Sequence, residues 1–314
     1  MVYFQLVLGF ALLVAGGEAL VRGAVSVAAR FGVSPLLIGL TLVGFGTSTP
    51  ELVTSLQAAF GGFPGITLGN IVGSNTMNIL LILGVAAVIM PLDIDPIAFR
   101  RDGTALAIAT MLAIAVIVFG SLDRWMGGVL IFALLAYLVV AYLSDRTTLA
   151  ARGPQGGPES VSMPGTIWTA LGLAFGGIVV TILGARLAVD AAVLLALFWG
   201  MSETVVGLTV VAVGTSLPEL VTSVMAALRR QSGIAFGNIV GSNIYNIFGV
   251  LGITALVRPI PIPPQIAQLD VWVMAAATLA LIIAVLAWRR IGRSTGVVFL
   301  SAYTAYTGWL VVGP

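Results

Sequence analysis

Long apolar runs separated by short polar stretches dominate this chain. A helix that crosses a bilayer needs roughly 20 apolar residues. On that measure the pattern predicts ten spans, at about 2–28, 34–60, 66–90, 104–120, 125–143, 166–195, 203–228, 233–257, 270–288 and 294–312. The stretch SDRTTLAARGPQGGPESVSMPG, residues 144–165, is polar and rich in Gly and Pro, and reads as a linker. It divides the chain into halves of five spans each, 1–143 and 166–314. The first run, MVYFQLVLGFALLVAGGEALV, has no basic residue ahead of its apolar stretch and reads as a span rather than a signal peptide. The expected fold is an all-α polytopic membrane protein.

The two halves repeat. LIGLTLVGFGTSTPELVTSLQAAF (37–60) aligns with VVGLTVVAVGTSLPELVTSVMAAL (205–228), and GITLGNIVGSNTMNILLILG (65–84) with GIAFGNIVGSNIYNIFGVLG (233–252), at a constant offset of 168. Five spans is an odd number, so the second copy would enter the membrane from the opposite side. That predicts two inverted-topology five-helix repeats, an arrangement found in many secondary transporters. Duplication for packing alone is the alternative, but the matching segments are the ones that carry polar groups. Arginines set the orientation. With the N-terminus outside, the inner connections and adjoining span ends hold Arg30, Arg100, Arg101, Arg146, Arg152, Arg229, Arg230, Arg289, Arg290 and Arg293, and the outer ones only Arg124 and Arg258. Both termini are therefore expected on the extracytoplasmic side.

Two of the apolar runs contain a proline beside an acid. Pro50 and Pro218 have no N–H, so the carbonyls of Gly46 and Gly214 lose their helical partners. In lipid such groups need protein, water or an ion, which predicts interrupted helices at the midplane. An ordinary kink would explain either proline alone. Glu51 and Glu219 add a charge cost of about 2.5–3.5 kcal/mol each at the bilayer centre. An inverted repeat would bring them together, where they would repel unless protonated, Arg-paired or bridged by a cation. Arg22 and Arg186, the nearest intramembrane arginines, are spaced to pair elsewhere, as Glu18–Arg22 and Arg186–Asp190 at i,i+4. Those four residues are expected to form a structural charge set.

Around the acids lie Thr47, Ser48, Thr54, Ser55, Thr215, Ser216, Thr222 and Ser223. Thr47 and Glu51 share a helix face, as do Thr215 and Glu219. Thr54 and Ser55 could equally cap local carbonyls. The following span in each half, GNIVGSNTMN (69–78) and GNIVGSNIYN (237–246), adds Ser74, Asn75, Asn78, Ser242, Asn243 and Asn246. Asn and Ser also bond between membrane helices. That role is expected for Asn70 and Asn238, whereas Asn78 and Asn246 are expected at the site.

Composition narrows the chemistry. Among 314 residues, 59% are hydrophobic and 8% charged, where soluble domains carry about 25% charged residues. With no Cys and no His, thiolate and imidazole ligands and the common nucleophiles and bases are absent. No nucleotide motif is apparent, so an enzyme is not expected. The net charge of +2 gives no reason to expect nucleic acid as a partner. The remaining donors are hard oxygens, suited to Ca²⁺ or Na⁺ and less to Mg²⁺, which holds its water. Two carboxylates balance one Ca²⁺ or two Na⁺. Overlapping sites with alternating access would give antiport.

The paired G-T-S-x-P-E and G-N-x-x-G-S-N motifs resemble the alpha repeats of the cation/calcium exchanger superfamily, here at 37–84 and 205–252, and above all the prokaryotic sodium/calcium exchangers. The resemblance implies a site built by the second, third, seventh and eighth spans, with Glu51 and Glu219 as calcium carboxylates shared with sodium. Thr47 and Thr215 would give backbone carbonyls. Ser48, Ser216, Ser74 and Ser242 would line sodium sites, joined by carbonyls of Gly44 and Ala212. Asn78 and Asn246 would complete the middle. The first and sixth spans would slide across this core. Some relatives carry Asp where this chain has Asn246, which argues against a potassium requirement. No cofactor is expected; Ca²⁺ and Na⁺ bind as substrates of an antiporter in the plasma (inner) membrane, with the lipid bilayer as surroundings. The sequence does not set the oligomeric state and is compatible with a monomer. A proton/calcium antiporter on the same fold and a cation channel are the alternatives.

Overall fold

The computed structural model describes residues 2–118, 121–152, 166–199 and 212–312. Its helices are α1 (Val2–Phe31), α2 (Pro35–Thr47), α3 (Thr49–Gly61), α4 (Pro64–Ile89), α5 (Pro96–Val118), α6 (Arg124–Arg152), α7 (Ile167–Phe198), α8 (Ala212–Thr215), α9 (Leu217–Leu228), α10 (Ser232–Val257), α11 (Ile266–Trp288) and α12 (Arg293–Val312). Among the described residues, seven helices are long and apolar enough to cross a membrane, and eight if the bent pair α2–α3 is one span. Residues 203–211 of the predicted seventh span, and 153–165 of the predicted linker, lie outside the described residues. One boundary differs from expectation. Residues 144–152, assigned by pattern to the linker, continue α6 to Arg152. SDRTTLAAR holds no Gly or Pro, so nothing in it stops a helix; those breakers begin at Gly153.

Two-residue strands tie the halves together. β1 (Leu92–Asp93) pairs antiparallel with β4 (Arg290–Ile291), and β2 (Ser121–Leu122) with β3 (Ile260–Pro261). Each ladder takes one strand from each half. Thr110 on α5 donates to its repeat equivalent Thr278 on α11, at 3.4 Å and 168 residues away. Contact between equivalent residues is what a two-fold relation between the copies produces.

α1 and α7 pack antiparallel and close. Any Cβ at Gly16 would stand 2.5 Å from the Thr181 nitrogen, and one at Gly23 2.4 Å from that of Ala174. Small residues at such crossings let membrane helices approach backbone to backbone, where dispersion rather than the hydrophobic effect holds them. Between α1 and α2, Gly32 takes φ +61°. Ser34 then opens α2, accepting from the Leu37 amide while its own amide and hydroxyl donate to Asp145 on α6, at 2.8 and 2.5 Å.

The expected charge set forms only in part. Glu18 pairs with Arg22 at 2.5 Å and also with Arg229, which follows α9. Arg186 and Asp190 are exposed, and among the described residues no ion pair joins them. The four-residue spacing puts the two on one face but does not fix the rotamers that would bring their charges together.

Candidate cation-binding site

α2 and α3 meet at Ser48, where the backbone leaves helical geometry (φ −82°, ψ 9°) and the axis bends by 41°. α8 and α9 meet in the same way at Ser216 (φ −93°, ψ 9°). Each break falls two residues before the proline, as the missing N–H requires. Glu51 and Glu219 therefore sit in the first turn of a new helix, where the unpaired amides and the dipole favour an anion.

The glutamates are fully buried and cross-linked between the halves. Ser48 donates to Glu219 Oε1 at 2.8 Å, and Ser216 donates to Glu51 Oε1 at 3.0 Å and lies 3.4 Å from the Ser74 hydroxyl. The two carboxylate contacts are repeat equivalents. The second oxygen of each carboxylate, Oε2, has no partner among the described residues. Nor do Asn78 Nδ2 and Oδ1, Asn246 Oδ1, Asn243 Oδ1 or Thr222 Oγ1, all buried. Burying a polar atom without a partner costs about 1–3 kcal/mol, and more for a charge. Concentrating so many around two carboxylates is the mark of a site whose partner is a ligand. Apart from the Asn78 amide, these atoms are oxygens, the hard-donor set a Ca²⁺ or Na⁺ substrate needs.

π-type turns widen both neighbouring helices at the same point. They begin at Asn78 in α4 and at Asn246 in α10, and such bulges recur at functional sites. Asn246 donates to Asn75 Oδ1 at 3.3 Å, so Asn75 joins the polar centre from the face it shares with Asn78. Ser242 is buried and donates to the Gly44 carbonyl at 3.3 Å. That carbonyl, expected as a ligand, also accepts from the Ser48 amide at 3.1 Å. Thr47 is buried and bonds through its hydroxyl. Thr215 ends α8 one residue before the second break, and Ala212 begins that helix. Among the described residues no cluster of three or more acidic side chains forms, so any cation held here relies on neutral oxygens beside the two glutamates.

Asn70 and Asn238 bond between helices, as packing residues do. Asn70 donates to the Glu51 carbonyl at 3.1 Å and to Ser55 at 2.9 Å; Asn238 donates to the Glu219 carbonyl at 3.3 Å and to Ser223 at 2.9 Å. Ser55 and Ser223 are thus acceptors for the next helix. Their only sequence signal is their spacing of four from each glutamate.

The sequence matches the family described as sodium/calcium exchanger protein over residues 1–143 and 169–312. This chain belongs to that family. Members are transporters, and the apolar helices agree with a multi-span membrane protein. The chain is 36% identical to CaxA of Alkalimonas amylolytica, over 95% of each chain. It is 31% identical to the sodium/calcium exchanger MaX1 of Methanosarcina acetivorans, over 97% of each. A solved structure of the sodium-calcium exchanger NCX_Mj superposes with a TM-score of 0.85 at 31% identity, covering 98% of this chain and 97% of that one. The two breaks are reciprocal: each copy's serine holds the other copy's glutamate.

Proposed function

We propose that this protein is an antiporter that exchanges Na⁺ for Ca²⁺ across the plasma membrane by alternating access. Its architecture in this reading is ten spans in two inverted five-helix repeats, 1–143 and 166–314, with both termini extracytoplasmic. The equivalence of Ser48–Glu219 and Ser216–Glu51, and of the bonds made by Asn70 and Asn238, supports the inversion. The observation that carries the function is the unpartnered Oε2 of both buried glutamates, together with buried neutral oxygens of Asn78, Asn246, Asn243 and Thr222 that also lack partners among the described residues. Glu51 and Glu219 hold Ca²⁺, or share the charge of two Na⁺. Ser48, Ser216, Ser74, Ser242, Asn78 and Asn246 complete the shell with Thr47, Thr215, Gly44 and Ala212. One charge set cannot serve both ions fully at once, so occupancy is exclusive and transport is coupled. α1 and α7 move as one close-packed body across the site.

A proton/calcium exchanger is the second reading. Two buried carboxylates that each keep an unpartnered oxygen could carry protons in place of sodium. Isotopic calcium uptake into sodium-loaded proteoliposomes separates the two. Uptake should follow the sodium gradient at constant pH; uptake that ignores sodium and follows a pH gradient overturns the first reading in favour of the second. Glu51→Gln and Glu219→Gln should each leave a folded protein and reduce exchange by at least two orders of magnitude, measured in the same flux assay. Near-normal flux in either removes that residue from the site.

A further inference from the structure

The Asn238 side chain touches both halves at once. Its Nδ2 donates to the Glu219 carbonyl and to Ser223, both on α9. That uses both amide hydrogens and fixes the turn that carries the glutamate. Its Oδ1 accepts at 3.1 Å from the hydroxyl of Thr47, the last residue of α2, in the other half. All four residues are buried. Thr47 has one hydroxyl proton and two further acceptors in its own helix, the Val43 carbonyl at the same 3.1 Å and the Gly44 carbonyl at 3.4 Å. The proton can serve one of them at a time. The cross-half bond is therefore made by giving up a local one within α2, and reverts to it at little cost.

We propose that Asn238 is a positioning residue that couples the end of α2 to Glu219. When the two halves close on a cation, Thr47 turns its proton to Asn238, and the Glu219 turn is held at binding distance. When they part, the proton returns to Val43 and the glutamate is released. This rests on the cation-exchange reading above and deepens it. Asn238 need not touch the ion, because its Oδ1, the one atom of the side chain able to ligate a cation, accepts from Thr47. Asn70 holds Glu51 by the equivalent two bonds and serves as the comparison.

The test is a double-mutant cycle on the full-length protein, in purified form and in proteoliposomes. Half-saturation by CaCl₂ and by NaCl is read from thermal stabilisation, and half-saturation and maximal rate from isotopic calcium flux. Asn238→Ala removes three hydrogen bonds and should raise the half-saturating Ca²⁺ concentration by roughly ten-fold or more, each lost bond being worth about two- to ten-fold. Thr47→Val, which keeps the backbone carbonyl and the shape, should raise it by a similar or smaller factor. The double variant should be no worse than Asn238→Ala, since the hydroxyl acts through the amide. Additive effects, or a lowered melting temperature with unchanged half-saturation, overturn the coupling. Should Asn238→Ala fail to fold, Asn238→Ser with Thr47→Val runs the same cycle. A wild-type protein that neither Ca²⁺ nor Na⁺ stabilises overturns the exchange reading itself, a result distinct from additivity in a protein that does bind.

Discussion

At the scale of residues, each carboxylate is held by a serine of the opposite copy. A hydrogen bond to a charged group contributes about 1.5–3 kcal/mol. Ser48→Ala and Ser216→Ala should therefore each weaken calcium binding by roughly ten-fold or more, read as half-saturation in the flux assay. Because the bonds are equivalents, the two losses should match within a factor of about three. Both glutamates, the serines and the asparagines could be named from the sequence, since polar groups stand out in a chain that is 59% hydrophobic. Which bonds they make was not legible. Ser48 and Glu219 lie 171 residues apart, and only the folded chain brings them together. Ser55 and Ser223 were readable equally as local caps. The three-dimensional neighbour, Asn70 or Asn238, decides the matter.

Between elements, the dominant contact is α1 on α7. Its glycines sit where any side chain would strike the partner's backbone, and overpacking costs about 1–3 kcal/mol. Gly16→Ala should lower the melting temperature by several degrees and slow exchange, because the pair cannot close to its present distance. Gly128→Ala is the control, since its Cβ would meet Leu256 only at 4.0 Å. Helices were legible wherever an apolar run reached bilayer length. Their ends were not, as α6 shows: a polar stretch without breakers stays helical beyond the apolar run. The charge set forms only in part. The i,i+4 spacing of Arg186 and Asp190 puts them on one face, but spacing alone does not choose the rotamers that would join them.

For the whole molecule, the two copies are equivalent in their polar centre and unequal beside it. Phe45 and Tyr245 stack at 4.4 Å with planes 29° apart, one ring from each half. The positions related to them by the offset of 168 hold Val213 and Met77. Stacked rings contribute about 0.5–1.5 kcal/mol beyond the area they bury, and an aliphatic pair lacks that term. The two copies thus differ in one contact beside the polar centre, an aromatic stack for which the repeat-equivalent positions supply no rings. Under equal gradients the two opposed half-cycles need not run at one speed, although detailed balance fixes their overall equilibrium. Phe45→Val with Tyr245→Met copies the lighter pair onto the heavier face. Calcium self-exchange measured from each side should then show half-saturating concentrations that converge, where the native protein keeps them apart. The aromatic pair would be a kinetic rectifier, giving the exchanger a preferred working direction that its symmetric ion cage by itself could not supply.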